Sequence, residues 1–153
     1  MLETGDSAPA FTLPRDGGGE VSLAGLAGTR VVLYFYPRDD TPGCTTEAID
    51  FSAKSSEFAA LGATVIGISK DSVKSHDKFR DKHSLGIILA SDAAGDTCEQ
   101  YGVWVEKSMY GKTFMGIERA TFLIGADGRL LRVWRKVKVE GHVGEVLAAL
   151  RDA

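Results

Sequence analysis

The residues best placed to do chemistry in this sequence lie around one cysteine. In the segment "PRDDTPGC", residues 37–44, Thr41 stands directly before a proline, and Cys44 follows two residues after that proline. Threonine is favoured at a helix N-cap and proline at the first helical position, so the pattern predicts a helix that begins after Thr41. Cys44 would be the third helical residue, with its backbone N–H bonded to the Thr41 hydroxyl.

This placement favours the reactive form of the cysteine. The unpaired N–H groups and the positive end of the helix dipole lie against a sulfur in the first turn, and they stabilise thiolate over thiol. The alternative interpretation of Cys44 is a small buried apolar side chain, which is a common role of free cysteine. A thiol packed only for its volume has no need of such a helix start, so we favour a reactive cysteine.

The surrounding residues narrow the chemistry that a lone thiolate can do. A thioredoxin-type reductase needs Cys-x-x-Cys, but the third residue after Cys44 is Glu47. A cysteine hydrolase needs a histidine base, and no motif marks His76, His83 or His142 as one. His76 and His83 are interpreted as part of a solvated helix face, and no histidine has zinc-ligand spacing with a cysteine. A peroxide-reducing thiol remains, since it needs only a thiolate, hydrogen-bond donors and a cation.

Composition sets limits on the partners and the compartment. The chain has 153 residues, 44% of them hydrophobic, and a net charge of −3. These values fit one domain, residues 1–153, and give no reason to expect nucleic acid or an anionic membrane as a partner. No apolar run approaches the ~20 residues of a membrane span, and the N-terminus lacks the pattern of a secretory signal. We therefore expect a soluble, cytoplasmic protein whose two cysteines are not a disulfide scaffold.

The hydrophobic pattern predicts how the chain positions this cysteine. Two continuous apolar runs, residues 30–37 and 63–69, indicate strands that are buried on both faces. Helical patterns follow each of them, and a hairpin and a last helix close the chain. The expected strands are residues 30–37 and 63–69, the helices 41–61, 72–83, 93–102 and 142–153, and the hairpin 119–139. Alternating strands and helices followed by a hairpin predict an α/β fold with a mixed central β-sheet flanked by helices.

The sequence resembles the peroxiredoxins, and specifically the bacterioferritin-comigratory (Q-type) subfamily. The resemblance covers nearly the whole chain: "APAFTLP", "VVLYFYPRDDTPGCTTEA", "GISKDS", "YGVW" and "GIERATFLIGADG" match its segments. The pattern Pro-x-x-x-Thr-x-x-Cys is present as Pro37, Thr41 and Cys44, with Arg119 in "ERATF". The resemblance implies a single thioredoxin-like domain and reduction of hydrogen peroxide and small organic hydroperoxides. It implies no metal, flavin or haem, because sulfur supplies both electrons.

The resemblance also implies roles for individual residues. Cys44 is expected to be the peroxidatic nucleophile, Thr41 to donate to the peroxide, Pro37 to shield the thiolate and Arg119 to hydrogen-bond a peroxide oxygen. Substrate binding is expected from the backbone N–H groups of Gly43 and Cys44. Such donors stabilise the charge that develops as the O–O bond breaks. Two further residues are assigned less specific roles: Glu47 supports the site, and Tyr36 either lines the pocket or packs in the core.

Cys98 is the one remaining thiol, and it has two interpretations. Many Q-type members carry a resolving cysteine five residues after the peroxidatic one, where this chain has Ile49, or in the helix after the next strand, which here has none. As a candidate resolving cysteine, Cys98 would form a disulfide with oxidised Cys44. Alternatively it is a buried helix residue on an apolar stripe with Ala94 and Tyr101. We favour burial, because a disulfide needs Cα atoms within ~7 Å and nothing in the sequence shows that the two cysteines approach so closely.

The expected activity is therefore thiol-dependent peroxide reduction. The reductant is expected to be a thioredoxin, a glutaredoxin system or a low-molecular-weight thiol, and the protein a monomer or weak dimer. Two alternatives share the fold: a peroxide-sensing redox regulator and a non-enzymatic holdase. The holdase predicts no loss of function in Cys44→Ser, and the combination of Pro37, Thr41, Cys44 and Arg119 argues against it.

Overall fold

A five-stranded mixed sheet forms the centre of the computed structural model, which describes residues 1–153. Its strands are β3 Arg30–Phe35, β4 Ala63–Ser69, β5 Ile88–Ser91, β8 Ala120–Ile124 and β9 Leu130–Trp134. They run in the order β5-β4-β3-β8-β9, with β3 parallel to β4 and antiparallel to β8. The predicted mixed sheet of an α/β fold is confirmed.

Helices pack on this sheet, and two small hairpins lie outside it. The helices are α1 Pro42–Ala53, α2 Ser55–Ala60, α3 Val73–His83, α4 Thr97–Gln100 and α5 His142–Arg151. The hairpins are β1 Thr12–Pro14 with β2 Glu20–Ser22, and β6 Trp104–Met109 with β7 Lys112–Ile117; a short 3₁₀ turn covers Ala24–Leu26. No helix in the structure is long and apolar enough to cross a bilayer.

Strand β3 divides the core into two clusters because its side chains alternate between the faces of the sheet. Val32 and Tyr34 face the cluster formed with α1, α2, α3 and α5. Val31 and Leu33 face the cluster formed with α4 and the N-terminal hairpin. Both clusters are buried, which explains why β3 reads as an unbroken apolar run.

The predicted helix over residues 41–61 is two helices. Lys54, with φ of −104° and ψ of 7°, leaves the helical conformation and separates α1 from α2. Phe51 and Phe58, on either side of the break, still pack in the same core cluster. Hydrophobic spacing therefore continues across the break and does not reveal it.

Hairpin β6–β7 was not predicted at all. Its two-residue turn, Tyr110 and Gly111, has positive φ at both positions, 53° and 75°, as a type I′ turn requires. Tyrosine is not a typical residue for this conformation, so the turn carried no sequence signal. The hairpin exposes Met109, Phe114 and Met115.

Candidate active site

Cys44 lies in the first turn of α1, where the end of β3 leads into the helix. Its side chain is buried, with 2% of its surface exposed. Pro42 occupies the start of α1, and the first helical bond runs from the Thr45 N–H to the Thr41 carbonyl at 2.8 Å. The N–H groups of Gly43 and Cys44 find no acceptor, so two donors remain free at the helix start beside the sulfur.

Thr41 does not cap the helix with its side chain, so that part of the prediction was wrong. The backbone of Thr41 has the extended conformation of an N-cap, but its hydroxyl donates to the Arg38 carbonyl oxygen at 2.9 Å. Side chains of this type compete for nearby backbone groups, and the turn before α1 brings the carbonyl three residues back within reach. The Cys44 N–H is therefore left free for another acceptor.

Arg119 comes from a distant part of the chain and reaches the sulfur of Cys44. It directly precedes β8, and the pairing of Ala120 with Phe35 brings the start of β8 beside the end of β3. Arg119 Nη2 donates to Cys44 Sγ at 3.3 Å. A Cβ on Gly43 would lie 3.3 Å from the same nitrogen, so glycine leaves space for the guanidinium.

Glu47 fixes the other side of this guanidinium. Its Oε1 accepts from Arg119 Nη1 at 2.7 Å, while its Oε2 is buried without a partner. Burial raises the pKa of Glu47 from 4.5 to about 7, although the Arg119 charge acts in the opposite direction. Burial lowers the pKa of Arg119, but the favourable interactions of its guanidinium with Glu47 and Cys44 are together larger, so the pKa of Arg119 is raised. The guanidinium is thus a permanent cation held by two contacts.

Tyr36 and Pro37 occupy different environments at the end of β3. Tyr36 is buried in the core and donates its hydroxyl hydrogen bond to Asp39 Oδ1 at 2.6 Å, so its packing role is the one that the structure shows. Pro37 is exposed at the edge of a cavity of about 350 Å³, which Lys107 of β6 and Phe114 of β7 also line. Sequence reasoning did not find Lys107, since the hairpin that carries it was not predicted.

A buried polar network supports the loop before α1, and sequence reasoning missed it. His76 is fully buried, which contradicts its interpretation as part of a solvated face. Its Nδ1 lies 2.7 Å from Asp39 Oδ2 and its Nε2 lies 3.0 Å from the Ala90 carbonyl oxygen. Ser75 Oγ also donates to Asp39 Oδ2, at 2.7 Å. The network connects α3 and β5 to the residues that lead into the Cys44 helix.

Cys98 lies on the opposite face of the sheet from Cys44. Cys44 belongs to the cluster that contains Val32, and Cys98 to the cluster that contains Val31. Cys98 is fully buried, its backbone N–H donates to Asp92 Oδ2 at 2.9 Å, and burial together with Asp92 raises the pKa of its thiol. Both cysteines are free.

The expected apolar stripe around Cys98 is only partly present. Cys98 and Tyr101 are buried, but Ala94 is exposed and precedes α4, so its inclusion was wrong. The predicted helix over residues 93–102 is in fact a single turn, Thr97–Gln100. The carboxylate of Asp92 bonds the Thr97 and Cys98 N–H groups at the start of this turn.

A cysteine at a helix start, an arginine beside its sulfur and a thioredoxin-like α/β fold define a class of protein, the thiol-dependent peroxidases. No group of three or more histidine, cysteine or acidic side chains in the structure converges as metal ligands do. The chemistry of such a site is carried by sulfur and by the fixed donors around it.

Comparisons with known proteins agree with this class. The model of the AhpC/TSA family matches residues 4–133, so the chain belongs to that family. The putative peroxiredoxin Bcp of Coxiella burnetii is 53% identical over 149 residues, which are 97% of this chain and 99% of the relative. Peroxiredoxin Bcp of Bacillus subtilis is 49% identical over 151 residues, covering 99% of this chain and 96% of the relative.

Solved structures give the same result. Peroxiredoxin Q of Xanthomonas campestris superposes with a TM-score of 0.90 and 47% identity, covering 99% of this chain and 96% of that chain. A structure of the bacterioferritin comigratory protein of the same organism, described for its alkyl peroxide reduction activity, has a TM-score of 0.90 and 46% identity and covers 99% and 97% of the two chains. The resemblance to Q-type peroxiredoxins is confirmed. The chain is a thiol-dependent peroxidase that uses a peroxide substrate and a thiol reductant.

Proposed function

We propose that Cys44 is the peroxidatic cysteine and that its sulfur attacks one oxygen of hydrogen peroxide or of a small organic hydroperoxide. The Cys44 thiolate forms an S–O bond while the O–O bond breaks. Cys44 becomes a sulfenic acid, and the leaving oxygen takes a proton and departs as water or an alcohol. The contact of 3.3 Å between Arg119 Nη2 and Cys44 Sγ carries this proposal, because it fixes a cation beside the thiolate, next to the O–O bond that breaks.

The donors around the sulfur are proposed to hold the peroxide. The N–H groups of Gly43 and Cys44 are free to donate, and Arg119 supplies a third donor. The hydroxyl of Thr41, now bonded to Arg38, is proposed to turn toward the peroxide when it binds. Pro37 is proposed to limit water access, and Glu47 to hold the guanidinium in place. Preorganised donors of this kind need no rearrangement during the reaction.

The proposed cycle uses one cysteine of the chain. Cys98 lies beyond the sheet from Cys44, and its raised thiol pKa disfavours the thiolate that would attack a sulfenic acid. An external thiol is therefore proposed to reduce Cys44, whether thioredoxin, glutaredoxin or a low-molecular-weight thiol. The buried position of Cys98 favours packing over resolution.

Matched cysteine variants test this function. Cys44→Ser is expected to abolish peroxide consumption with dithiothreitol as reductant, and Cys98→Ser to retain it. Equal loss in both variants would contradict the one-cysteine cycle, and activity in Cys44→Ser would contradict the proposed nucleophile. The regulator and the holdase have no observation of their own in their favour, and both predict little turnover.

Three further expectations remain predictions. A single folding unit over residues 1–153 predicts one cooperative unfolding transition in calorimetry. A monomer or weak dimer is testable by analytical ultracentrifugation over a range of protein concentrations. A cytoplasmic location is testable by fractionation of the source cells.

A further inference from the structure

A cleft next to Pro37 is lined by more cations than carboxylates, in a chain whose net charge is −3. It has a volume of about 350 Å³ and lies between the end of β4 and hairpin β6–β7. Pockets that bind small molecules begin at ~300 Å³, so the cleft has room for a small compound. Its lining includes three cations, Arg38, Lys70 and Lys107, and one carboxylate, that of Asp71.

The four charges in this cleft are not equivalent. Lys70 is neutralised by Asp92 at 3.3 Å and by Glu99 at 2.9 Å. The carboxylate of Asp71 accepts hydrogen bonds from the Ser69 hydroxyl at 2.6 Å and from the Asp39 N–H at 2.8 Å.

Two cations in the cleft have no acidic partner. Arg38 and Lys107 form no ion pair, so their charge is available to a ligand. Glu118, which follows the hairpin, lies 3.9 Å from a different cation, Arg135.

Lys107 lines the cleft with its side chain packed on the neighbouring strand of the hairpin. Its side chain crosses Gly116, where a Cβ would lie 3.1 Å from Lys107 Cδ. Burial and the charge of Arg119 lower the pKa of Lys107, while Cys44 and Glu118 act in the opposite direction. Lys107 is half-buried, and the cleft it lines also includes Pro37, in the segment that leads to the Cys44 helix, and Ile117, two residues before Arg119.

We propose that the thiol that reduces the Cys44 sulfenic acid is a small anionic thiol, whose carboxylate or sulfonate is bound by Lys107 and Arg38 in this cleft. The proposal rests on the one-cysteine cycle described above. The thiolate of the ligand attacks Cys44 Sγ, an S–S bond forms, and the sulfenic oxygen leaves as water after taking a proton. A second thiol molecule then attacks the ligand sulfur, which releases reduced Cys44 and the oxidised ligand as its disulfide.

Three thiols with the same two-carbon skeleton separate charge from size. They are 2-mercaptoethanesulfonate, 2-mercaptoethanol and cysteamine, which carry a negative, a neutral and a positive group. The rate at which each reduces preformed Cys44 sulfenic acid is measured by stopped-flow fluorescence and corrected for thiolate fraction and nucleophilicity. We expect the corrected rate to be highest for the sulfonate and lowest for cysteamine.

Substitutions test whether Lys107 produces this order of corrected rates. A unit charge about 7 Å away in water changes a rate by about threefold, so Lys107→Gln is expected to lower the sulfonate-to-mercaptoethanol ratio about threefold. Lys112→Gln removes an equal charge from the exposed part of the same hairpin, outside the cleft, and is expected to leave that ratio unchanged. Raising the ionic strength from about 0.01 M to about 1 M shortens the Debye length from about 30 Å to about 3 Å and is expected to diminish the ratio.

The outcomes distinguish this inference from the proposed function. Equal corrected rates for the three thiols, or an unchanged ratio in Lys107→Gln, would overturn the anionic-thiol site. Rapid reduction by thioredoxin alone, with none by the sulfonate, would overturn it too. Sulfenic acid formation on Cys44 is followed separately with a trapping reagent, and its absence would instead refute the proposed nucleophile.

Discussion

The buried carboxyl of Glu47 makes the stability of the folded chain depend on pH in a direction that can be measured. Its pKa rises from 4.5 to about 7 on folding, because burial disfavours the carboxylate more than Arg119 stabilises it. Below pH 4.5 the folded and unfolded chains both carry the proton. Between pH 4.5 and 7 only the folded chain keeps it, so the free energy of unfolding falls as the pH rises.

The size of this effect follows from the same values. A rise from 4.5 to about 7, at about 1.4 kcal/mol for each pH unit, corresponds to about 3 kcal/mol of stability lost across that window. Above pH 7 the loss is constant. Glu47→Gln removes the titrating group and keeps the volume and an oxygen that can accept from Arg119. The variant is therefore expected to gain about 3 kcal/mol relative to the parent between pH 4.5 and pH 7.

Urea unfolding followed by tryptophan fluorescence measures this difference at a series of pH values. A Cys44→Ser background removes thiol titration from both curves, and any constant offset from new Arg119 contacts cancels in the pH dependence. Glu20→Gln, which removes an exposed carboxylate from β2, serves as the matched control and is expected to run parallel to the parent. Parallel curves for Glu47→Gln and the parent would refute the reasoning about burial.

Three other substitutions test contacts around the site. Arg119→Met removes a fixed donor and is expected to slow sulfenic acid formation by roughly 10²–10³-fold in stopped-flow measurements. Gly43→Ala places a methyl 3.3 Å from the guanidinium and is expected to slow the same step by about tenfold through displacement of Arg119. Asp39→Asn replaces the charged acceptor beside His76 with a neutral amide, and urea unfolding is expected to show a loss of about 2 kcal/mol.

Two of these substitutions have a matched control, and the third has a result that would refute it. An unchanged oxidation rate in Arg119→Met would show that the guanidinium is not needed at the sulfur. Gly144→Ala is the control for Gly43→Ala, since nothing lies within 4 Å of the methyl that it adds to α5. It is expected to form the sulfenic acid at the wild-type rate. Asp40→Asn changes the exposed carboxylate next to Asp39 and is the control for Asp39→Asn. An equal loss of stability in Asp39→Asn and Asp40→Asn would contradict the role of burial.

Local signals predicted the start of the site well. Pro42 fixes the first helical residue, and the extended conformation of Thr41 is what an N-cap requires, so residues 41–44 could be placed from sequence. The apolar runs of β3 and β4 were equally readable, because both faces of each strand are covered. Arg119 was assigned only through family resemblance, since nothing local shows that β8 starts beside β3.

One local turn and a set of tertiary contacts account for what the sequence did not show. The Thr41 hydroxyl bonds the Arg38 carbonyl because of the turn between them, which no capping rule describes. His76 reads as one polar residue in a polar helix, yet Asp39 and the Ala90 carbonyl oxygen meet both of its ring nitrogens in the interior. The His76 pairings join separate segments of the chain, so neither periodicity nor composition carries a signal for them.

The most direct test of the central claim is mass spectrometry of the intact protein and its peptides after one equivalent of hydrogen peroxide, with a sulfenic-acid trap and no reductant. The one-cysteine account predicts a trapped adduct on Cys44 and a free thiol at Cys98. A disulfide between Cys44 and Cys98, within one chain or between two, would contradict it. Such a disulfide would mean that the helix start around Cys44 or the turn around Cys98 leaves its face of the sheet during the cycle.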